Sequence, residues 1–191
     1  LDRPRRGYVL GEGAVFFVVE ALEHAERRGA RPLAEIVGWG DGSDAHHPFL
    51  AHPEGRGLRT SMAGALGSAG AAPGDVDLVV STASSLPDLD SAEAAALRAT
   101  FDGHTPAVTA PAGAIGRTHV AVGAFGIATA LAAIETQSVP PTVGTTAPAE
   151  DAPPGLAAGA EARPSRVRRA LVNAWSFGGQ CASLVLEEVA R

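Results

Sequence analysis

A run of small residues from Val120 to Ile134 is the feature that most restricts how this chain can fold. Most of its positions are Ala or Gly, and Phe125, Ile127 and Leu131 are among its few large side chains. The composition and length predict a helix, and small side chains let neighbouring backbone approach closely. The sequence therefore places this helix at the centre of the fold. The run is shorter than the roughly 20 apolar residues of a membrane span, so no membrane contact is predicted.

The segment of residues 112–119, which contains polar side chains, leads into this helix. The first backbone N–H groups of a helix have no partner within the helix, and binding sites are often built there. The sequence therefore predicts that a functional site, if the chain has one, includes this segment.

Apolar runs and helical patterns alternate along the rest of the chain. We predict helices over residues 21–28, 58–69 and 90–99, and strands over residues 14–20, 33–39, 76–80, 107–109, 169–174 and 182–187. The strand over residues 14–20 is predicted to be buried on both faces, because it has no polar alternation. The alternation predicts an α/β fold with a mixed, mostly parallel sheet packed on the central Ala/Gly-rich helix.

Composition excludes several classes of protein. The single cysteine, Cys181, cannot form an internal disulfide framework, and it fits a cytoplasmic location, as does the lack of a signal-peptide pattern in residues 1–7. The net charge is −6 and the arginines are scattered, so no nucleic-acid partner is predicted. Cys181 enters a predicted buried strand with no histidine beside it in sequence, which favours a small buried hydrophobic residue over a nucleophile.

Two local patterns resemble ligand-binding sites, but neighbouring residues argue against that interpretation in both. Gly11 and Gly13 resemble part of a dinucleotide-binding loop, but Phe16 stands at the third glycine position and no helix follows directly. Residues 46–52 include three histidines, but no carboxylate or cysteine accompanies them at a recognisable ligand spacing. A solvated loop is the better interpretation, and no metal is predicted.

Several stretches, in order, resemble the C-terminal half of a β-ketoacyl synthase, the thiolase-fold condensing enzyme of fatty-acid and polyketide synthesis. Residues 7–14, GYVLGEGA, resemble the family pattern GFVxGEGA, and residues 175–180 resemble its closing GFGG turn. Residues 76–93, followed by residues 112–134, stand where the family has HGTSTPxxDxxE and KxxxGH. The resemblance covers essentially residues 1–191. It implies a thiolase-like fold whose N-terminal half is absent or on another chain.

The family's catalytic positions carry other residues in this alignment. The first catalytic histidine falls on Thr82, the lysine on Ala112 and the second histidine on Arg117. A hydroxyl is a weak base and a guanidinium stays protonated, so these residues cannot replace the two histidines. Removing one oxyanion-stabilising donor typically costs about 10²–10³ in rate, so the resemblance implies that this chain has no catalytic residue for condensation.

Arg117 and the segment of residues 86–90 look like the chain-length factor, the ketosynthase β subunit of type II polyketide synthases. This resemblance implies a non-catalytic subunit that pairs with a catalytic ketosynthase and shapes the acyl tunnel. It also implies substrates held as phosphopantetheine thioesters on an acyl carrier protein, with no cofactor. The expected partners are the catalytic ketosynthase, the complementary N-terminal half and, through the complex, the acyl carrier protein.

The resemblance also assigns roles around the altered site. Asp90 and Glu93 share one helical face, and they either form an acid pair or brace nearby groups, with Glu93 expected to hold neighbouring backbone or Arg117. Arg117 either anchors phosphopantetheine or, as we expect, fills the pocket by a structural salt bridge.

Phe177, followed by Gly178 and Gly179, aligns with the family's gatekeeper turn. The Phe177 side chain either gates an acyl tunnel or simply packs, and the sequence leaves both open.

His119 supplies the alternative function. If the loop shifts by two residues, His119 becomes a displaced catalytic histidine of a divergent active synthase or acyltransferase, whose cysteine lies on the missing half. The simpler interpretation is a polar cap or a subunit-contact residue.

Overall fold

The computed structural model describes residues 1–83 and 85–189. Two short 3₁₀ turns, Pro73–Asp75 and His119–Ala121, accompany the regular elements. The helices are α1 Leu22–Arg27, α2 Arg56–Ser68, α3 Pro87–Thr100, α4 Ala112–Ile115 and α5 Val122–Thr136. The strands are β1 Glu35–Ser43, β2 Leu78–Val80, β3 Ala107–Thr109, β4 Ser138–Val139, β5 Arg163–Pro164, β6 Arg169–Trp175 and β7 Gln180–Glu187.

Five of these strands form one sheet in the order β1-β7-β6-β2-β3, and β4 and β5 form a small separate pair. Strand β2 runs parallel to β3 and β6, whereas β7 runs antiparallel to β6 and β1. The predicted mixed sheet is confirmed, but only two of its four pairings are parallel. The antiparallel pairing of β6 with β7 has a local reason, because a tight turn joins the two strands directly and a two-strand hairpin must be antiparallel.

The two faces of the sheet carry different helices. Helices α2 and α3 cover one face, where Leu58, Met62, Leu171 and Val185 are fully buried. Helix α5 packs on the other face, against β6 and β2. An added Cβ at Gly126 would lie 2.7 Å from Cγ1 of Val172, so the small residues of α5 do permit the close approach that the sequence predicted.

The segment from His119 to Thr136 joins a 3₁₀ turn to α5. By length and composition it could cross a membrane, with a mean hydropathy of 1.4. The 3₁₀ turn makes the segment longer than the run of residues 120–134 on which the sequence-based prediction was made. One face of the segment packs on β2 and β6, as a core helix does. Only 22% of the segment is buried, so its other face is largely uncovered in this chain.

The predicted strand over residues 14–20 is wrong for this chain. These residues form no strand in the part of the chain that the structure describes, and the side chain of Phe16 is 93% exposed. Val18 and Val19 are also exposed. A strand forms only where a second strand pairs with it, and none of the described residues pairs with this apolar run.

The buried Asp44, just past the end of β1, holds the start of α2. Its Oδ1 accepts a hydrogen bond from the backbone N–H of Gly57 at 2.8 Å, and its Oδ2 accepts one from the N–H of His52 at 3.1 Å. The residue preceding α2, Gly55, has no side chain to cap the helix. Asp44 therefore acts as a helix cap supplied from a distant position in the sequence.

Replacing Asp44 with Ala is expected to lower the free energy of unfolding by about 1–2 kcal/mol, the usual cost of a lost helix cap. Chemical denaturation of the assembled protein measures this loss. Asp41→Ala is the matched control, since Asp41 is exposed on β1. Equal effects of the two substitutions would contradict the capping role.

Candidate functional site

The loop that carries Arg117 is held by the N-terminal segment of the chain. The N–H of Arg117 donates to the carbonyl of Val9 at 2.9 Å, and the N–H of Gly11 donates to the carbonyl of Arg117 at 3.1 Å. An added Cβ at Gly11 would lie 2.0 Å from the carbonyl oxygen of Ile115. Gly116 has a φ of +77°, and an added Cβ at this position would clash with the backbone of Gly11. The GYVLGEGA stretch thus serves here as a backbone clamp on the Arg117 loop.

The Arg117 side chain is buried, with 3% of its surface exposed. Its guanidinium carbon lies 5.5 Å from the ring centroid of Tyr8 and 5.5 Å from that of Phe177, so it makes a cation–π contact with each ring. Within residues 1–83 and 85–189, Arg117 forms no salt bridge. The expected salt bridge is therefore wrong among the described residues, where the guanidinium contacts two aromatic rings instead.

Burial lowers the pKa of Arg117, and the nearby Tyr8, Asp90 and Glu93 oppose that shift. The buried Nε of Arg117 has no hydrogen-bond partner in the described part of the chain.

Two spaces meet at Arg117. The inner cavity, lined by Thr82, Ala83, Leu89, Asp90, Glu93, Arg117 and Trp175, has a volume of about 10 Å³. That is room for about one water molecule. The outer pocket, about 520 Å³, is lined by residues that include Tyr8, Ala112, Arg117, Thr142 and Thr145. Arg117 and Ala83 line both spaces, so the arginine stands between them.

Glu93 lines the inner cavity and is 2% exposed. It accepts hydrogen bonds from the hydroxyl of Ser81 at 2.8 Å, the N–H of Thr82 at 3.1 Å and the side-chain amide of Asn173 at 3.4 Å. Burial raises the pKa of Glu93 to about 7, more than these hydrogen bonds lower it. Glu93 thus holds the backbone at Thr82, and its contacts are structural.

Asp90 is fully buried one turn before Glu93 in α3. Its Oδ2 accepts from the backbone nitrogen of Leu1 at 2.7 Å and lies 3.8 Å from Nε of Arg5. Arg5 in turn contacts Ser91 and Asp151. Asp90 therefore ties the N-terminal segment to α3 on the same side of the fold as the inner cavity.

The turn after β6 presents Phe177 beside Arg117. Gly178 and Gly179 have φ angles of +89° and +79°, which glycine adopts without strain. The N–H of Gly178 donates to the carbonyl of Pro48 at 2.8 Å, and the carbonyl of Gly179 accepts from the N–H of Asp44 at 2.9 Å. These bonds fix the turn. The Phe177 ring, 37% exposed, has one side on Arg117 and remains partly open to solvent.

His119 lies outside this closed region. It is exposed, has a φ of +49°, and does not line the inner cavity or the outer pocket. Its ring centroid lies 5.8 Å from that of Tyr8 and 6.4 Å from that of Phe177. His119 thus extends the same aromatic cluster toward solvent.

The remaining sequence candidates carry no reactive group at the site. Ala112 begins α4 and offers only a methyl group to the outer pocket. Burial raises the pKa of Cys181 to about 12, which keeps it a neutral thiol. Among the described residues, no group of three His, Cys, Asp or Glu side chains could hold a metal ion. Two of the loop histidines, His47 and His52, accept backbone hydrogen bonds within their own turn.

The sequence did not indicate two aromatic residues that shape this site. Tyr8 forms one wall of the Arg117 stack, and Trp175 lines the inner cavity, where its buried Nε1 has no partner in the described part of the chain. Both lie in stretches that match the family pattern mainly through their glycines. The signal that could have indicated these two residues is that they are aromatic and stand beside those glycines. The inner cavity has carboxyl, hydroxyl and guanidinium groups but no histidine or thiol to start acyl transfer.

Sequence comparison relates the chain to condensing enzymes. The family described as "Beta-ketoacyl synthase, C-terminal domain" matches residues 33–146. The 3-oxoacyl-[acyl-carrier-protein] synthase 2 of Coxiella burnetii is 37% identical over 190 residues, which is 98% of this chain and 46% of that protein. The mitochondrial 3-oxoacyl-[acyl-carrier-protein] synthase of Arabidopsis thaliana is 34% identical over 98% of this chain and 42% of its own length. The chain thus spans less than half the length of these relatives.

Solved structures show the same relation. The ishigamide ketosynthase/chain length factor superposes with a TM-score of 0.93 at 30% identity, covering 99% of this chain and 46% of that one. A β-ketoacyl synthase from Burkholderia phymatum superposes with a TM-score of 0.88 at 31% identity, with the same coverage. A type II polyketide ketosynthase, solved in complex with its acyl-carrier protein, has a TM-score of 0.94 at 24% identity, which shows the fold alone. The fold is therefore the thiolase-like ketosynthase fold, and the chain belongs to the β-ketoacyl synthase family, whose C-terminal domain it carries.

Proposed function

We propose that this chain is the C-terminal half of a non-catalytic ketosynthase subunit of the chain-length-factor type. It would pair with a catalytic ketosynthase and shape the tunnel that holds the growing polyketide chain. Condensation would take place in the partner, on phosphopantetheine thioesters carried by an acyl carrier protein. A cytoplasmic location belongs to the same proposal and fits the single buried cysteine.

The observation that carries this proposal is Arg117. In the alignment it stands at the second catalytic histidine, and its buried side chain lines both the outer pocket and an inner cavity of about 10 Å³. A permanently charged guanidinium cannot accept a proton, and Thr82, at the first histidine position, offers only a hydroxyl. The structural similarity to an ishigamide ketosynthase/chain length factor supports the same assignment.

The uncovered apolar surface supports the need for a complementary N-terminal half. Phe16, Val18 and Val120 are 93%, 85% and 100% exposed, and α5 is covered by the sheet on one face only. Monomeric proteins rarely expose contiguous apolar patches larger than a few hundred Å². A second half that adds a strand beside residues 14–20 and a helix against α5 would bury this surface.

A second candidate is favoured by the curated relatives, which are 3-oxoacyl-[acyl-carrier-protein] synthases. In that hypothesis the chain is part of a divergent active synthase that uses His119, with a cysteine from the other half. The exposed position of His119 beside Phe177 argues against it, because a general base must reach the reacting group.

Replacing His119 with Ala is the test that separates the two candidates. We expect the assembled protein to condense acyl thioesters at an unchanged rate, whereas loss of a general acid or base typically costs about 10²–10⁴-fold. His24→Ala, at an exposed histidine on α1, is the matched control. Native mass spectrometry of the same preparations reports whether the complex is intact. A loss of condensation in an intact His119→Ala complex would overturn the non-catalytic assignment.

A further inference from the structure

Arg117 divides two spaces that differ about fiftyfold in volume, by the ratio of 520 to 10 Å³. The volume of the outer pocket is in the range of small-molecule binding sites, and that of the inner cavity is far below it. Among the described residues, Arg117 and Ala83 are common to both linings, and Arg117 is the one with a long side chain at this boundary.

The contacts of Arg117 show how this side chain is held. Its backbone is fixed by hydrogen bonds to Val9 and Gly11, and its guanidinium makes a cation–π contact with each of the rings of Tyr8 and Phe177. Cation–π contacts strengthen as the guanidinium is desolvated, so two rings can hold a buried side chain that has no salt bridge among the described residues. Arginine suits this arrangement better than lysine because its guanidinium is flat.

We propose that Arg117, held by cation–π contacts with Tyr8 and Phe177, is a plug that closes the inner cavity of this subunit to acyl chains and small reagents. The Phe177 ring contacts the same guanidinium from a position outside both linings. The site therefore excludes linear acyl groups because Arg117 occupies their path, in addition to lacking the histidines that would process them. The biological meaning rests on the proposed function, since a closed pocket in this subunit directs the acyl chain elsewhere.

The accessibility of a thiol in the inner cavity tests this proposal. Thr82 lines the cavity and is 5% exposed, and its structural hydrogen bond to Glu93 comes from the backbone, so Thr82→Cys preserves that bond. The assembled protein carrying Thr82→Cys is treated with iodoacetamide, and mass spectrometry of its peptides gives the alkylation rate at position 82. We expect slow alkylation with Arg117 present and a rate about tenfold higher or more with Arg117→Ala.

Two further variants and an internal control make the result decisive. Arg117→Lys keeps the charge but loses the flat stack, so alkylation at position 82 should also be faster than with Arg117. Arg56→Ala, at an exposed arginine on α2, should leave the rate unchanged. Cys181 is buried and does not line the inner cavity, so its peptide should stay unmodified wherever the fold is intact.

Equal alkylation rates with Arg117 and Arg117→Ala would overturn the plug, as would acceleration at position 82 only together with Cys181, which signals unfolding. A Lys variant as slow as Arg117 would overturn the role assigned to stacking. The experiment measures access and not condensation, so its failure is separate from any failure of the proposed function in the His119→Ala assay.

Discussion

Replacing Glu93 with Gln is expected to stabilise the assembled protein by about 3 kcal/mol above pH 8. Burial raises the pKa of Glu93 from the ordinary 4.5 to about 7, so the folded protein resists an ionisation that the unfolded chain undergoes freely. The stability linked to this carboxyl is complete below about pH 4.5 and is lost as the pH rises through 7. A difference of about 2.5 pKa units, at about 1.4 kcal/mol each, gives this size of effect.

Glutamine can keep the contacts that Glu93 makes. Its carbonyl can accept from the N–H of Thr82, and its amide can donate to the hydroxyl of Ser81, which already receives the N–H of Ala83. Unfolding of both proteins between pH 4 and 9 gives the difference in free energy at each pH. Glu135→Gln, at an exposed position on α5, is the control for the chemical change. A difference between Glu93 and Gln that does not grow with pH would contradict the expected raised pKa.

The sequence predicted those elements whose own residues indicate their secondary structure. Strand β3 is found at Ala107–Thr109, as expected, because a short β-branched run lies between clear breaks. Strand β1 was predicted over residues 33–39 but extends from Glu35 to Ser43, since alternating glycines hide its second half. Helix α3 begins three residues earlier than predicted, at Pro87, because proline is well tolerated in the first turn of a helix.

The site was predictable to the extent that it follows from alignment. Matching to the family pattern brought Thr82, Glu93 and Arg117 to one place, and the structure has all three around one small cavity. The stacking of Arg117 on Tyr8 was not predictable, because the two residues meet only through pairing of Val9 and Gly11 with the Arg117 loop. No periodicity within either segment reports a contact of this kind, which tertiary packing alone creates.

The same limit explains residues 14–20. Their composition is that of a buried strand, and the prediction failed because pairing depends on a second strand as well as on intrinsic preference. The run is apolar and exposed in the described chain. The failure of this prediction therefore follows from the lack of a strand partner among the described residues and not from the composition of residues 14–20.

Gly40→Ala is expected to lower the free energy of unfolding by about 3 kcal/mol or more, although it adds a single methyl group. In β1, Gly38, Gly40 and Gly42 face α2, and an added Cβ at Gly40 would lie 2.2 Å from the carbonyl oxygen of Ser61 and 2.5 Å from the nitrogen of Ala65. Both atoms belong to the helix backbone, so relief requires β1 and α2 to separate. Overpacking of a tight core costs about 1–3 kcal/mol, and more where backbone must move.

The chain offers a matched control for Gly40→Ala in α2 itself. Gly67 lies in the exposed part of that helix, and an added Cβ there meets nothing within 4 Å. Gly67→Ala should therefore stabilise the protein by about 1 kcal/mol, because alanine favours the helix that glycine disfavours. Chemical denaturation of both variants in the assembled protein measures effects of opposite sign. If Gly40→Ala were as harmless as Gly67→Ala, α2 could not lie against β1 at backbone contact, and the placement of Asp44 at the start of α2 would fail with it.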